Sequence, residues 1–336
     1  MSVAERVAEP LLVLTRQDIS QLMDFNDYVL AVEDAFRLYE EGKALSPGVL
    51  DIHGEGGAFH VKAAGLPLDR TYVAVKVNGN FSENRSLHGL PTIQGAITLC
   101  DATNGSPLAF MDSMEVTTMR TGAATAVAAK YLARTDSKIA TICGCGEQGK
   151  IQLIALEHFL MLEKVFAFDL DENKAKSFAE EMSKKLNLEV IPTSNLQEAT
   201  LQSDAIVTCT TSRQAFLKSE DVKPGTFIAA VGADSDDKSE LAPDLMASSK
   251  VVADIVDQCA RIGDFHHALD AGALEKFEVY GELGEIVTRK KVSRTSPDDT
   301  IVFDSTGTAL QDVAAAAIIY QRAKQKGLGY LCDLAG

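Results

Sequence analysis

The sequence predicts an α/β chain, a doubly wound parallel sheet joined to an α+β segment that precedes it. Three observations predict it. From about residue 138 to 304, short apolar runs alternate with helical stretches. The first of those runs ends in a glycine-rich turn. Between Val49 and Asp112 the pattern is instead strand upon strand, separated by Gly, Pro and Asn turns.

In chain order, Leu11–Leu14 reads as a strand, and Thr15 with Asp18 reads as a capping pair for a short helix. Asn26 is expected to cap a longer helix through about Gly42, with Val29, Val32, Ala35, Phe36 and Tyr39 on one face. The clearest strands that follow are Ala58–Ala63, Tyr72–Asn78, Gly95–Cys100 and Pro107–Met111. Glu115 to Leu132 is alanine-rich and helical. Strands are then expected near 138–143, 164–168, 188–192, 204–209, 226–231, 250–254 and 300–304. A final apolar-faced helix, Ala309 to about Gln325, is expected to leave this second region and return to the first. The domains are therefore 1–125 with 309–336, an α+β domain, and 126–308, a doubly wound Rossmann-type domain.

The glycine turn is the most specific motif. Ile139–Cys143 is followed by Gly144-Cys145-Gly146-Glu147-Gln148-Gly149, a G-x-G-x-x-G at the mouth of a strand. Gly144 makes the tight turn, Gly146 admits the pyrophosphate, and Gly149 lets the helix pack on the strand. The next strand ends at Asp169, 20 residues after Gly149. An acid there accepts hydrogen bonds from the adenosine ribose hydroxyls and repels a 2′-phosphate. NAD(H) is thus expected over NADP(H).

Composition narrows the function further. The 336 residues are 46% apolar and 24% charged, ordinary for a globular protein. No apolar run reaches membrane-spanning length, and MSVAERVAEP has no signal-peptide h-region, so a cytoplasmic protein is expected. A net charge of −16 disfavours nucleic acid and anionic membranes as partners. Six cysteines (Cys100, Cys143, Cys145, Cys209, Cys259 and Cys332) lack zinc spacing and read as buried, reduced thiols. The six histidines show no metal pattern, and no metal site is expected.

The strand-rich domain must supply the substrate site. Lys76 lies inside the apolar run Tyr72–Asn78, where an unpaired ammonium is expensive to bury. It is an edge lysine reaching water, a partner of Asp101 or Glu115, or a substrate cation. Arg120, just ahead of the alanine-rich helix, carries a planar fork that matches a carboxylate. In the second domain Gly232-Ala233-Asp234 follows a strand, so Asp234 could exchange a proton beside the nicotinamide, or be a loop carboxylate. Ser305-Thr306-Gly307 follows the last strand by the same logic. Asp312, in the helix beyond, reads as a structural hydrogen-bond partner.

The chain resembles the ornithine cyclodeaminase/μ-crystallin family over nearly its whole length. The matching stretches are Lys76–Asn78, Gly89–Gly95, Leu99–Ala102, Gly105–Ala109, Arg120–Ala124, Ala128–Arg134, Val231–Asp234, Glu240-Leu241 and Phe303–Gly307. The resemblance implies a homodimer built through the first domain. Lys76 and Arg120 match positions that grip the substrate carboxylate, and Asp234 matches the acid that handles a proton at the substrate nitrogen. Gly144, Gly146, Gly149 and Asp169 match the dinucleotide site, which is expected also to include Thr121, Glu147, Gln148, Thr210, Val231 and Gly232. Thr306 and Gly307 are expected on the substrate side. Two departures bear on the substrate. His60 stands nearest a glutamate found in true ornithine cyclodeaminases, and an arginine expected after Pro47 is missing. Lys62, on the same side of a strand as His60, is the expected replacement. Together they would repel a second amine, which disfavours ornithine. The expected activity is NAD(P)H-dependent reduction of a cyclic or simple α-imino acid, of the Δ1-pyrroline-2-carboxylate reductase type, or amino-acid dehydrogenation in reverse. The alternatives are an ammonia-eliminating cyclodeaminase with bound NAD+ and a μ-crystallin-like binding protein.

Overall fold

Period-two strand patterns dominate one part of the chain and alternating strands and helices the other, and the structure separates along that line. A computed structural model describes residues 9–233 and 235–334. One unit is Met1–Arg120 with Thr308–Gly336, and the other is Thr121–Gly307. The division falls at Arg120 and Thr308, where the sequence suggested 125 and 309.

The first unit is built on a seven-stranded sheet. Its order is Tyr330–Cys332, Leu11–Leu14, Pro107–Asp112, Ile93–Asp101, Thr71–Asn80, Gly57–Pro67 and Leu45–Gly54. Leu45–Gly54, not among the clear expectations, is an edge strand. An edge tolerates Pro47, which has no N–H to donate, and the pairing shifts register between Leu45 and Gly48. Thr15 and Asp18 do form a reciprocal capping box. The long helix is Phe25–Glu40, capped by Asp24 rather than Asn26. Asp24 is followed three residues later by Asp27, which returns a bond to the Asp24 N–H at 3.0 Å; Asn26 is followed by Val29, which cannot. A short helix, Asn84–His88, was not foreseen.

This sheet has two unlike faces. Ala64, Leu66, Tyr72, Ala74, Ile97 and Leu99 are buried on one, against helices Phe25–Glu40 and Ala309–Lys326. Lys62 and Lys76, directly opposite each other, share that buried face. On the other, Leu50 pairs with Val61 and Val61 with Val77. Leu50, Ile52, Phe59, Val77 and Phe110 are all exposed there.

The second unit holds an eight-stranded parallel sheet. Its order is Gly281–Glu282, Lys250–Ala253, Ile301–Asp304, Phe227–Ala230, Ala205–Thr208, Ile139–Cys143, Lys164–Phe168 and Glu189–Pro192. From Ile139–Cys143 the chain winds outward through two strands, then returns to the other side at Ala205–Thr208. The topological switch point therefore lies between these two central strands, and ligands bind such sheets at the carboxyl ends there. Ile206, Ile228, Val302, Leu245 and Phe265 centre the core. A small parallel ribbon, Arg213–Leu217 with Ser239–Leu241, and the helices Pro243–Ser248, Val256–Ile262 and Asp264–Asp270 complete this side.

All six cysteines are free; Cys143, Cys145 and Cys259 are buried as expected, whereas Cys100 and Cys209 are half-buried and Cys332, on the terminal strand, is exposed. Among the described residues no helix is long and apolar enough to cross a membrane, and no cluster of His, Cys, Asp and Glu could hold a metal.

Candidate functional site

The first unit buries two cations around one acid. Thr71–Asn80 is a central strand, and its alternation turns Lys76 onto the covered face, where it is 3% exposed. Its Nζ lies 2.7 Å from Asp312 Oδ2, and Arg120 Nε lies 3.3 Å from Asp312 Oδ1. Arg120 also donates to Gln311 Oε1 at 2.9 Å. Asp312 and Gln311 sit in the first turn of helix Ala309–Lys326. The Lys76 partner is thus Asp312, neither Asp101 nor Glu115; Asp101 is held by Arg70 and Thr103. Burial pushes the Lys76 ammonium down to about 7, with Arg120 and Lys62 adding to the effect and Asp312 opposing it. Lys76 and Arg120 thus share the Asp312 carboxylate. An arriving carboxylate would be met by charge already desolvated and oriented.

A polar row adjoins it. His60 pairs across the sheet with Asn78 and with Asp51. His60 Nδ1 is 2.6 Å from Asp51 Oδ1, and Ser113 Oγ donates to Asn78 Oδ1 at 2.6 Å. Sequence reasoning expected His60 and Lys62 to repel an amine. Asp51 tempers that repulsion and was missed. Its signal was available: the tight turn Gly54–Gly57 sets the hairpin register that faces 51 with 60. A Cβ at Gly95 would collide with Asn78 Oδ1, so the row also requires that glycine.

The glycine-rich turn of the second unit lies at its switch point. Gly144 has φ +104°, closed to other residues, and an added Cβ would lie 2.8 Å from the Cys209 carbonyl. A Cβ at Gly149 would strike the Gly144 carbonyl, whereas one at Gly146 meets open space. Gly146 is also the N-cap of helix Glu147–Glu157 and offers it no side-chain cap. The helix start therefore faces open space with its N–H groups and positive dipole end, the arrangement that receives a pyrophosphate. Glu147 and Gln148 occupy that first turn. Asp169 is held in place: Oδ2 accepts from the Cys145 N–H at 3.0 Å and Oδ1 from the Asp171 N–H at 2.9 Å. The Cys209 thiol donates to the Cys143 and Gly144 carbonyls at 3.3 Å each. Burial raises its pKa well above the usual thiol range, so it stays a donor. These residues fit an NAD-type dinucleotide.

The other loops at the carboxyl ends are pinned from beneath by buried acids that the sequence did not single out. Glu240 accepts from Thr210 and Gly232. Asp254 Oδ2 accepts from the Gly307 N–H at 2.7 Å and its Oδ1 from Thr306 Oγ1 at 3.1 Å. Gln258 also donates to Thr306 Oγ1, at 2.7 Å. The Thr306 hydroxyl is therefore engaged inside the fold, while Val231 and Gly232 lie buried beside the same strand ends. Thr121 is a buried residue of helix Met114–Leu132. Asp234 lies outside the described residues. Lys62, Lys76, Arg120 and His60 thus belong to the first unit, and the residues expected at a dinucleotide to the second.

A profile of the ornithine cyclodeaminase/mu-crystallin family matches residues 10–327. An archaeal alanine dehydrogenase dimer with bound NAD is 34% identical with a TM-score of 0.92, covering 96% of this chain and 99% of that one. The Δ1-pyrroline-2-carboxylate reductase of Thermococcus litoralis, in complex with NADH and L-proline, is 35% identical with a TM-score of 0.90, covering 95% and 99%. The iminosuccinate reductase of Paracoccus denitrificans, in complex with NAD+, is 30% identical with a TM-score of 0.89, covering 97% and 100%.

Proposed function

The chain belongs to the ornithine cyclodeaminase/mu-crystallin family, and on that premise we propose that it is an NAD(H)-dependent reductase of a small α-imino acid, of the Δ1-pyrroline-2-carboxylate type, able to run in reverse as an amino-acid dehydrogenase. The observation that carries the reading is the pair of buried cations, Lys76 and Arg120, gathered on Asp312. Such a pair suits a substrate whose fixed feature is one carboxylate. The relatives named for imino- and amino-acid chemistry support the same reading.

Arg120 and Lys76, with Lys62 beside them, hold the carboxylate. Holding it fixes the position of Cα, and orientation of this kind contributes a large share of the rate. The bound nicotinamide supplies the hydride. Asp234, assigned by the family resemblance of Val231–Asp234, keeps a proton on the imine nitrogen so that Cα stays electrophilic. Gly144, Gly146 and Gly149 receive the pyrophosphate, and Asp169 favours NAD(H) over NADP(H). His60 and Asp51 lie where they would meet the rest of the substrate. A second copy of the chain covers the exposed apolar sheet face around Leu50, Phe59 and Val77, as the dimeric alanine dehydrogenase relative also suggests.

The deciding experiment follows NADH oxidation with pyrroline-2-carboxylate, piperideine-2-carboxylate and pyruvate plus ammonia, beside ammonia release from ornithine. Stoichiometric NADH consumption with an imino acid supports the reductase. Ammonia release without net NADH change would make the protein a cyclodeaminase, and NADH binding with neither would leave a binding protein.

A further inference from the structure

Glu240 is fully buried, 0% exposed, yet it lies beneath the switch-point loops rather than in the central core. It comes from the small ribbon, whose strand Ser239–Leu241 pairs with Arg213–Leu217. Its Oε1 accepts from the Thr210 N–H at 2.6 Å and from Thr210 Oγ1 at 2.7 Å. Its Oε2 accepts from the Gly232 N–H at 2.9 Å. Thr210 follows the strand Ala205–Thr208 and Gly232 follows Phe227–Ala230. A Cβ at Gly232 would collide with the Glu240 carboxylate, so the acid is pressed directly against that turn.

Glu240 is itself anchored. Its own N–H and that of Leu241 donate to Asp264 Oδ1 at 2.8 and 3.0 Å. Asp264 opens helix Asp264–Asp270, and the next N–H, of Phe265, donates to Asp304 Oδ2 at 3.0 Å. Asp304 ends the strand Ile301–Asp304. A line of buried acids thus ties two crevice loops to a rigid strand end.

We propose that Glu240 is a positioning residue for the dinucleotide, a single carboxylate that joins the loops after the two neighbouring strands and sets where Thr210 and Gly232 meet the cofactor. The inference rests on the dinucleotide reading above. A carboxyl group suits the place and an amide does not. It offers acceptor lone pairs on both oxygens to three donors, whereas an amide must turn its NH2 toward one of the backbone N–H groups. Burying an acid is costly, and here the cost sits beneath the loops where the cofactor is expected rather than in the apolar core.

The test compares the whole protein with Glu240→Gln, Thr210→Val and Asp299→Asn. NADH affinity is read by fluorescence, with kcat, the imino-acid KM at saturating NADH, and Tm. Asp299 is tied to Lys250 and to the Thr295 and Ser296 N–H groups before the strand Ile301–Asp304, so its variant reports stability loss alone. The expected result is that Glu240→Gln weakens NADH binding about tenfold or more and lowers kcat. The imino-acid KM should stay within about twofold. Thr210→Val should weaken NADH binding by a smaller factor, and Asp299→Asn should lower Tm with wild-type affinity. If Glu240→Gln lowers Tm but keeps wild-type NADH affinity and kcat, Glu240 is only a structural acid and the proposal is overturned. If Glu240→Gln does not fold, an unchanged NADH affinity in Thr210→Val overturns it instead. Failure of the wild type to bind NADH would remove the dinucleotide reading itself, and this inference with it.

Discussion

Asp312 and Lys76 form a 2.7 Å ion pair with side chains only 1% and 3% exposed, and Arg120 reaches the same carboxylate from 3.3 Å. A buried pair contributes little net stability, but removing one partner strands the other charge. Asp312→Asn should therefore destabilise the protein by about 3–5 kcal/mol. Chemical denaturation should show a greater loss at pH 6, where both cations are charged, than at pH 9. A loss independent of pH would mean that Lys76 does not titrate in the fold.

The low Lys76 value gives binding a pH dependence. With the ammonium pushed down to about 7, the free protein loses that charge as pH rises through 7. A bound carboxylate favours the charged form. Imino-acid affinity should weaken as pH rises above about 7, and binding there should take up a proton, measurable by calorimetry in buffers of different ionisation enthalpy. Lys76→Met should bind weakly and without this pH dependence. Stability has the opposite slope: between about 7 and the ordinary 10.5 the unfolded chain holds the proton that the folded chain has released, so Lys76 makes the fold more stable as pH climbs.

Cofactor choice turns on Asp169. Its two oxygens are already aimed by the Cys145 and Asp171 N–H groups, which leaves further lone pairs for ribose hydroxyls. Asp169→Ser should weaken NADH binding by about tenfold or more, the cost of losing charge-assisted hydrogen bonds. It should also raise the NADPH to NADH affinity ratio. Tighter wild-type binding of NADPH than of NADH would refute this reading.

Asp234 is assigned by resemblance alone, and its variant is a direct check. Asp234→Asn should lower turnover by about 10²–10⁴-fold, the range for losing a positioned acid or base. Imino-acid and NADH affinities should change little, and one limb of the pH–rate profile should disappear. Near-wild-type turnover would leave it a loop carboxylate.

What could be read from the sequence was local. The G-x-G-x-x-G turn, its strand and Asp169 lie within 31 consecutive residues, 139–169, and each has a steric or electrostatic signature. The apolar run Tyr72–Asn78 marked Lys76 as a cation out of place, but left open whether it reaches water and which acid it meets. Asp312 lies in another helix, and only long-range folding joins them. Cap chemistry is present at both Asp24 and Asn26, and the reciprocal partner three residues on, Asp27, decides for Asp24. Glu240 stood within a motif of the family resemblance, yet nothing local shows that its carboxylate reaches the loops at 210 and 232. Acids buried to hold backbone N–H groups leave no periodic trace.

Those acids give the fold its own pH signature. Burial, and then the charge of Asp264, pushes the Glu240 carboxyl up to about 7; burial pushes Asp264 up to about 6. The groups facing Glu240 are Asp264, the Thr208 and Thr210 hydroxyls, and the Cys143 and Cys209 thiols. Burial, and then the charges of Asp264 and Asp254, push Asp304 well above the ordinary carboxylate range. Because these folded values lie above the ordinary 4.5 and 3.8, the native state keeps protons that the unfolded chain has lost. Their contribution to stability is greatest below about pH 4 and falls as pH rises to about 7. Glu240→Gln removes one titrating group. Its Tm relative to wild type should therefore rise between pH 5 and pH 8, and Asp264→Asn should show the same trend with most of its change below pH 6. The opposite trend would mean that Glu240 is ionised throughout, with its three donors outweighing burial and the neighbouring acid.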